Sequence, residues 1–187
     1  MKHFTTKTRL ARAAMTLLVA LLTTATAWAQ TLSGDGTTYV INNAADWATF
    51  ASDVNGGYSY EGMTVKLSDT FDNSSEAVTD MVGTSTNMVK GTFNGNNKTL
   101  KVNLSATTEY CAPFRYVNGA TITSLHTTGT VVAESHASND KYRSGLIGQT
   151  NGNVTIQDCW SSVAITSEIN GDGTHSGLIA ITNGGTV

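Results

Sequence analysis

Two polar stretches hold most of the side chains able to do chemistry. The first, 134–143, offers His136, Asp140, Lys141, Tyr142 and Arg143; the second, 168–175, offers Glu168, Asn170, Asp172 and His175. An aromatic ring among charged and amide groups is a combination that could hold a sugar or a peptide. The same composition also describes solvated turns, where polar residues collect for backbone reasons. Asn170-Gly171-Asp172-Gly173 faintly suggests a calcium loop, but it lacks the spaced acids and the terminal glutamate. No His/Cys group has zinc spacing, so neither a metal nor another cofactor is expected. Glycoside cleavage needs two carboxylates flanking the bond. Asp158 stands alone, with Ser124 as its counterpart further upstream. A Gly-x-Ser-x-Gly elbow and a phosphate loop are both missing. No catalytic residue is assigned, and the chain reads as a binding or structural module.

The elements that must position these stretches repeat. Ser144-Gly145-Leu146-Ile147 recurs as Ser176-Gly177-Leu178-Ile179, and Thr150-Asn151-Gly152 recurs at the same offset as Thr182-Asn183-Gly184. A more divergent copy starts at Ala112-Pro113-Phe114, one such offset upstream of Ser144. A period between about 20 and 50 residues marks a solenoid, propeller or array. Stacked copies put like on like: Phe114, Leu146 and Leu178; Ile122 and Ile156; Leu125 and Cys159; Val131 and Ile165. Burying one such side chain is worth about 1.5–3 kcal/mol, too little for a single copy to stand alone. A solenoid follows, and the two polar stretches, being in the same phase, would emerge side by side from one edge. The seven residues expected to bind there are His136, Asp140, Lys141, Tyr142, Arg143, Asp172 and His175. Cys111 and Cys159 fall in different phases, which points to two thiols and not to a disulfide between them.

Gly145-Leu146-Ile147-Gly148, Asn151-Gly152 and Ile156-Gln157-Asp158-Cys159-Trp160-Ser161-Ser162-Val163 resemble the GLUG-type repeat of bacterial surface proteins. Upstream, 91–100 (Gly91-Thr92-Phe93-Asn94-Gly95 and onward) resembles the segment that often precedes such repeats. The resemblance covers about 91–187. It implies a right-handed parallel β-helix in a cell-surface or secreted setting, and it implies no catalytic residues. Pro113 in place of a motif glycine, Ala180 in place of another and Asp158 in place of Asn depart from the pattern.

Residues 43–55 carry the one convincing helical pattern outside the N-terminal segment. Trp47, Phe50, Ala51 and Val54 form one stripe, Asn43 is a fitting N-cap, and Gly56-Gly57 ends the pattern. Such a helix could cap the first copy of an array or simply pack on its surface. Strands are expected at 64–67, 91–93 and 99–104, separated by turn signals at 72–75 and 94–97. The stretch 74–89 reads as either a loop or an irregular copy.

The chain opens with Lys2, Lys7, Arg9 and Arg12, continues with an apolar stretch at 13–25 and ends in Ala27-Trp28-Ala29. This is the layout of a cleavable signal peptide. The apolar stretch is short of the roughly 20 residues a spanning helix needs. Four of the 11 basic residues lie in this segment and none of the 14 acids does, leaving 7 basic residues against 14 acids, a net charge of −7. That balance argues against nucleic acid. The expected organisation is a signal peptide at 1–29, an N-terminal cap at 30–90 and β-helix repeats at 91–187, broken off within a copy. The expected class is all-β, a right-handed parallel β-helix with a short N-terminal capping α-helix. The expected role is an exported scaffold or adhesin-like module of the bacterial surface, touching the membrane through its signal alone. Its partner would be a glycan or a host protein. The alternative is the display region of a larger surface peptidase or polysaccharide-degrading enzyme.

Overall fold

Alternation in the second half of Thr92–Ala106 puts Leu100, Val102 and Leu104 on one side of the strand, all at most 1% exposed, with Asn103 and Ser105 on the other. A strand of this pattern needs a cover on one face and neighbours on both edges. A computed structural model provides both; it describes residues 32–133, 142–167 and 173–187. The segment 1–29 lies outside those residues, as do 134–141 and 168–172.

The described residues are mostly β-strand with one helix. The elements in order are β1 (Thr38–Ile41), α1 (Ala44–Asn55), β2 (Thr64–Leu67), β3 (Thr92–Ala106), β4 (Tyr110–Cys111), β5 (Phe114–Asn118), β6 (Thr121–Ala133), β7 (Tyr142–Ser144), β8 (Ile147–Asn151), β9 (Thr155–Gln157), β10 (Trp160–Ser167), β11 (Thr174–Ser176) and β12 (Ile179–Asn183). They form three sheets: β1-β2-β3-β6-β10 with β9 also on β6, then β11-β7-β4, and β12-β8-β5. Every pairing between these strands is parallel.

The sequence offsets reappear as register. Ile147 pairs with Ile179 and Thr150 with Thr182, Ile122 with Ile156, and Val131 with Ile165. One expected match fails. Phe114 pairs with Ile147, not Leu146, although Cys111 still pairs with Arg143. Two residues, Ala112-Pro113, stand where the next copy has three, Ser144-Gly145-Leu146, so the register slips by one between the two strands.

The turn signal at 94–97 also proves to be something else. β3 runs through it as one strand, with a bulge between Asn94 and Lys98. Asn96 and Asn97 adopt φ of 51° and 56°, conformations that asparagine tolerates better than most residues. Gly95 is required there, because a Cβ would stand 2.5 Å from the Ser124 carbonyl oxygen. The same corner recurs at Ser124 (φ 52°) within β6 and at Asp158 (φ 52°) between β9 and β10. The stretch 74–89 is anchored to the sheets: Val78, Val82 and Val89 are buried and make isolated parallel bridges to Val102, Phe114 and Val117.

The helix forms where its stripe and caps place it. The Asn43 side chain accepts from the Asp46 N–H at 3.0 Å, a cap worth about 1 kcal/mol. At the other end, Gly57 at φ 110° lets its own N–H reach the Val54 carbonyl and that of Tyr58 reach Asp53, the 5→2 and 6→1 bonds of a Schellman ending. Trp47, Phe50 and Val54 are fully buried. The Trp47 ring meets Phe93 of β3 at 5.9 Å and Phe114 of β5 at 5.5 Å, while Phe93 and Phe114 meet each other at 4.9 Å. One helix face and two different sheets therefore share a core. The Trp47 indole N–H donates to the Asp80 carbonyl at 2.9 Å, and the Asn55 side chain both donates to the Met81 carbonyl and accepts from the Gly83 N–H. These bonds fasten the irregular segment to the helix. No helix among the described residues is long and apolar enough to cross a membrane.

Candidate functional site

Of the seven residues expected to bind, His136, Asp140, Lys141 and Asp172 lie outside the described residues. Tyr142 and Arg143 belong to β7, and His175 to β11. The ends of the two polar connections are register neighbours, Ala133 beside Ser167 and Tyr142 beside Thr174. His175 is exposed and pairs with Arg143 along the backbone. Tyr142 stacks on Tyr110 with centroids 4.9 Å apart and 18° between planes.

Arg143 does not sit in a solvated loop. It is fully buried, because its register neighbour is Cys111, an interior position. Its guanidinium replaces solvent with main-chain oxygens: Nη2 donates to Ala106 at 2.9 Å, and Nη1 to Tyr142, Thr108 and Glu109 at 3.1–3.3 Å. Burial lowers its pKa from the usual guanidinium value. Its role is to hold the turn between β3 and β4.

A different group gathers at the corner that lies within β3 and β6 and between β9 and β10. Asn97, Ser124, Leu125, His126, Asp158 and Trp160 line a pocket of about 90 Å³. The corner conformations of Asn97, Ser124 and Asp158, all at positive φ, bring an amide, a hydroxyl and a carboxylate together. Register puts His126 between Thr99 and Trp160. The imidazole Nδ1 lies 2.9 Å from Thr99 Oγ1 and Nε2 lies 2.9 Å from Ser162 Oγ. Both ring nitrogens are thus engaged, and burial lowers the His126 pKa from its usual 6.5. The indole of Trp160 lies nearly parallel to this ring, 11° between planes, yet Trp160 is 58% exposed. Cys159, between the two polar positions, faces inward against the core. Its thiol donates to the Gln157 carbonyl at 3.2 Å and burial raises its pKa, so it is a packed thiol with little thiolate character.

Chemically this corner can stack and hydrogen-bond. His126 is committed on both nitrogens, and Asp158 is the one carboxylate in the pocket lining. Among the described residues no group of three or more His, Cys, Asp or Glu side chains could hold a metal ion. A second concavity, of about 260 Å³, runs along Thr64, Thr92 and Thr121 beneath Lys90, which pairs with Glu61 at 3.2 Å. Those threonines belong to one registered row, Thr38–Thr64–Thr92–Thr121–Thr155. The most displaced phenol, Tyr60, is raised by burial and by its 2.6 Å bond to Asp53; it belongs to the core.

Sequence reasoning quoted Trp160 within a repeat and passed over His126. The signal was available: His126 and Trp160 are separated by the same offset that joins Ile122 to Ile156. Comparison with known proteins finds no matching family model, no matching curated protein and no matching solved structure.

Proposed function

We propose that this chain is an exported, non-enzymatic scaffold of the bacterial surface, built as a right-handed parallel β-helix of GLUG-like repeats and capped by α1. One observation carries the reading. In all three sheets each strand pairs in parallel with its counterpart in the next copy along the chain. A chain that returns beside itself once per repeat winds its sheets around a common interior. The apolar stripe of α1, packed on Phe93 and Phe114, supports the capping role, since an array needs its first copy covered. The basic and apolar N-terminal segment ending in Ala27-Trp28-Ala29 supports export. The partner of such a scaffold is a glycan or a host protein.

The test is the N-terminus and location of the protein made by bacteria carrying the gene. The reading expects a mature chain beginning at Gln30, removed by protease from intact cells. A chain retaining Met1 inside the cell overturns it, and so does turnover of a polysaccharide or peptide by the purified protein.

A further inference from the structure

We propose that the hollow along Thr64, Thr92 and Thr121 binds an acidic sugar residue, with its carboxylate on the Lys90 ammonium and its hydroxyls on the threonine row. The inference rests on the scaffold reading for the kind of partner, a glycan, and adds where the glycan lies and what charge it carries. The N-terminus and location of the chain test that reading; the titration below tests the hollow alone.

The hollow is built by register. Thr64, Thr92 and Thr121 pair in turn across β2, β3 and β6. Thr38 of β1 continues the row beyond one end and Thr155 of β9 beyond the other. The floor therefore lies within the stack, with a further strand on either side. Gly62, Lys90 and Gly119 each stand two residues ahead of these threonines. A long side chain is thus flanked in both neighbouring copies by residues that have none, and a Cβ added at Gly62 would meet nothing within 4 Å. That difference in size opens about 260 Å³ beside Lys90. The volume is close to the roughly 300 Å³ at which small-molecule sites begin, room for one sugar residue.

The lining sets the charge of the ligand. Lys90 is its one charged side chain, among three threonines, three glycines and Met63. The ammonium pairs with Glu61 at 3.2 Å, the two side chains being 39% and 69% exposed. A pair so open to water holds weakly, and Glu61 shows that a carboxylate can reach Lys90. A ligand carboxylate takes over that position. Threonine hydroxyls both donate and accept, and parallel register sets them about 4.8 Å apart, a ladder for the hydroxyls of a sugar. An aromatic ring completes the site. Tyr58 is 42% exposed, and its hydroxyl donates to Met63 Sδ at 3.2 Å. An amphipathic ring thus stands beside the lining, available to the C–H face of a sugar. Edge-on contacts with Tyr39 and Tyr60 hold that ring, and a fixed group loses little freedom on binding.

The test is isothermal titration of the purified protein at low ionic strength with hexagalacturonate, a hyaluronan hexasaccharide and sialyllactose. Cellohexaose and lactose are the neutral controls, and acetate is the bare carboxylate. At least one acidic sugar is expected to bind, more tightly than either neutral sugar or acetate. Lys90→Gln should weaken that binding at least about tenfold, the loss expected of one charge-assisted hydrogen bond. Glu61→Gln should tighten it, because the competing carboxylate is gone; an ion pair that only supports the fold would give no such gain. Tyr58→Ala should weaken it several-fold. Circular dichroism of the three variants should match the parent. No heat from any acidic sugar at the limit of its solubility overturns the proposal, as does unchanged binding by Lys90→Gln. Equal binding of a neutral sugar overturns the role of the carboxylate, and equal binding of acetate overturns the sugar.

Discussion

Two pairs of stacked rings stand on the same parallel strands. Tyr110–Tyr142 and His126–Trp160 are each formed by register neighbours, and each has nearly parallel planes, 18° and 11°. Their surroundings differ. Tyr110 is 8% exposed, packs against Tyr116 at 5.2 Å and has its pKa pushed up to about 12, chiefly by burial. Beside it Arg143 is sealed against main-chain oxygens. Trp160 is 58% exposed and lies beside the polar side chains of the corner. Stacking alone is what parallel register does to like side chains. What differs is the cover: the rest of the fold closes over the tyrosine pair, while the indole faces solvent.

The comparison breaks most visibly at Arg143. Arg143→Ala leaves the Ala106, Thr108, Glu109 and Tyr142 carbonyls without this donor, and urea unfolding should show a loss of about 3–5 kcal/mol. A loss below about 1 kcal/mol would mean that the guanidinium does not hold the turn. Next comes the contrast between the rings themselves. Tyr110→Ala should cost about 3 kcal/mol, as buried aromatic truncations do, while Trp160→Ala should cost about 1 kcal/mol because much of the ring is already in water. Equal losses would place Trp160 in the core.

A smaller effect, of opposite sign, is expected at the corner. Ser124 holds φ 52° with a side chain that disfavours it. Ser124→Gly should stabilise by about 0.5–1 kcal/mol, the relief of left-handed strain exceeding the extra chain entropy. Destabilisation would show that the hydroxyl bonds more than the backbone gains. The smallest effect is in pH. Burial holds folded His126 below its usual 6.5, so between the two values the unfolded chain binds more protons. The stabilising contribution is complete above about pH 6.5 and falls as pH drops through that value toward the folded pKa. His126→Gln should flatten that part of the stability profile, and an unchanged slope would assign it to the carboxylates.

Much of the scaffold was legible because period and register are the same quantity. The offset between Ile147 and Ile179 could be read directly, as could the Asn43 cap and the Trp47 stripe. Phe114 could not be placed, since a one-residue difference within the Pro113 turn is invisible until both flanking strands are paired. Asn94-Gly95-Asn96-Asn97 looked like a chain reversal, yet left-handed residues serve a strand corner equally well. Arg143 falls in sequence at the end of a polar connection between copies, and only its register beside Cys111 shows the burial. His126 and Trp160 are ordinary residues apart, and their pairing shows only in the register.

The central claim is that three successive copies lie parallel and in register. Interstrand backbone contacts in isotopically labelled protein, measured by nuclear Overhauser spectroscopy, test it most directly. The account predicts simultaneous contacts of Thr130 with Asn103 on one side and with Ala164 on the other, without the short Hα–Hα contacts of antiparallel pairs. Strong Hα–Hα contacts across β6 and β10, or pairing of β10 with another strand, would contradict it.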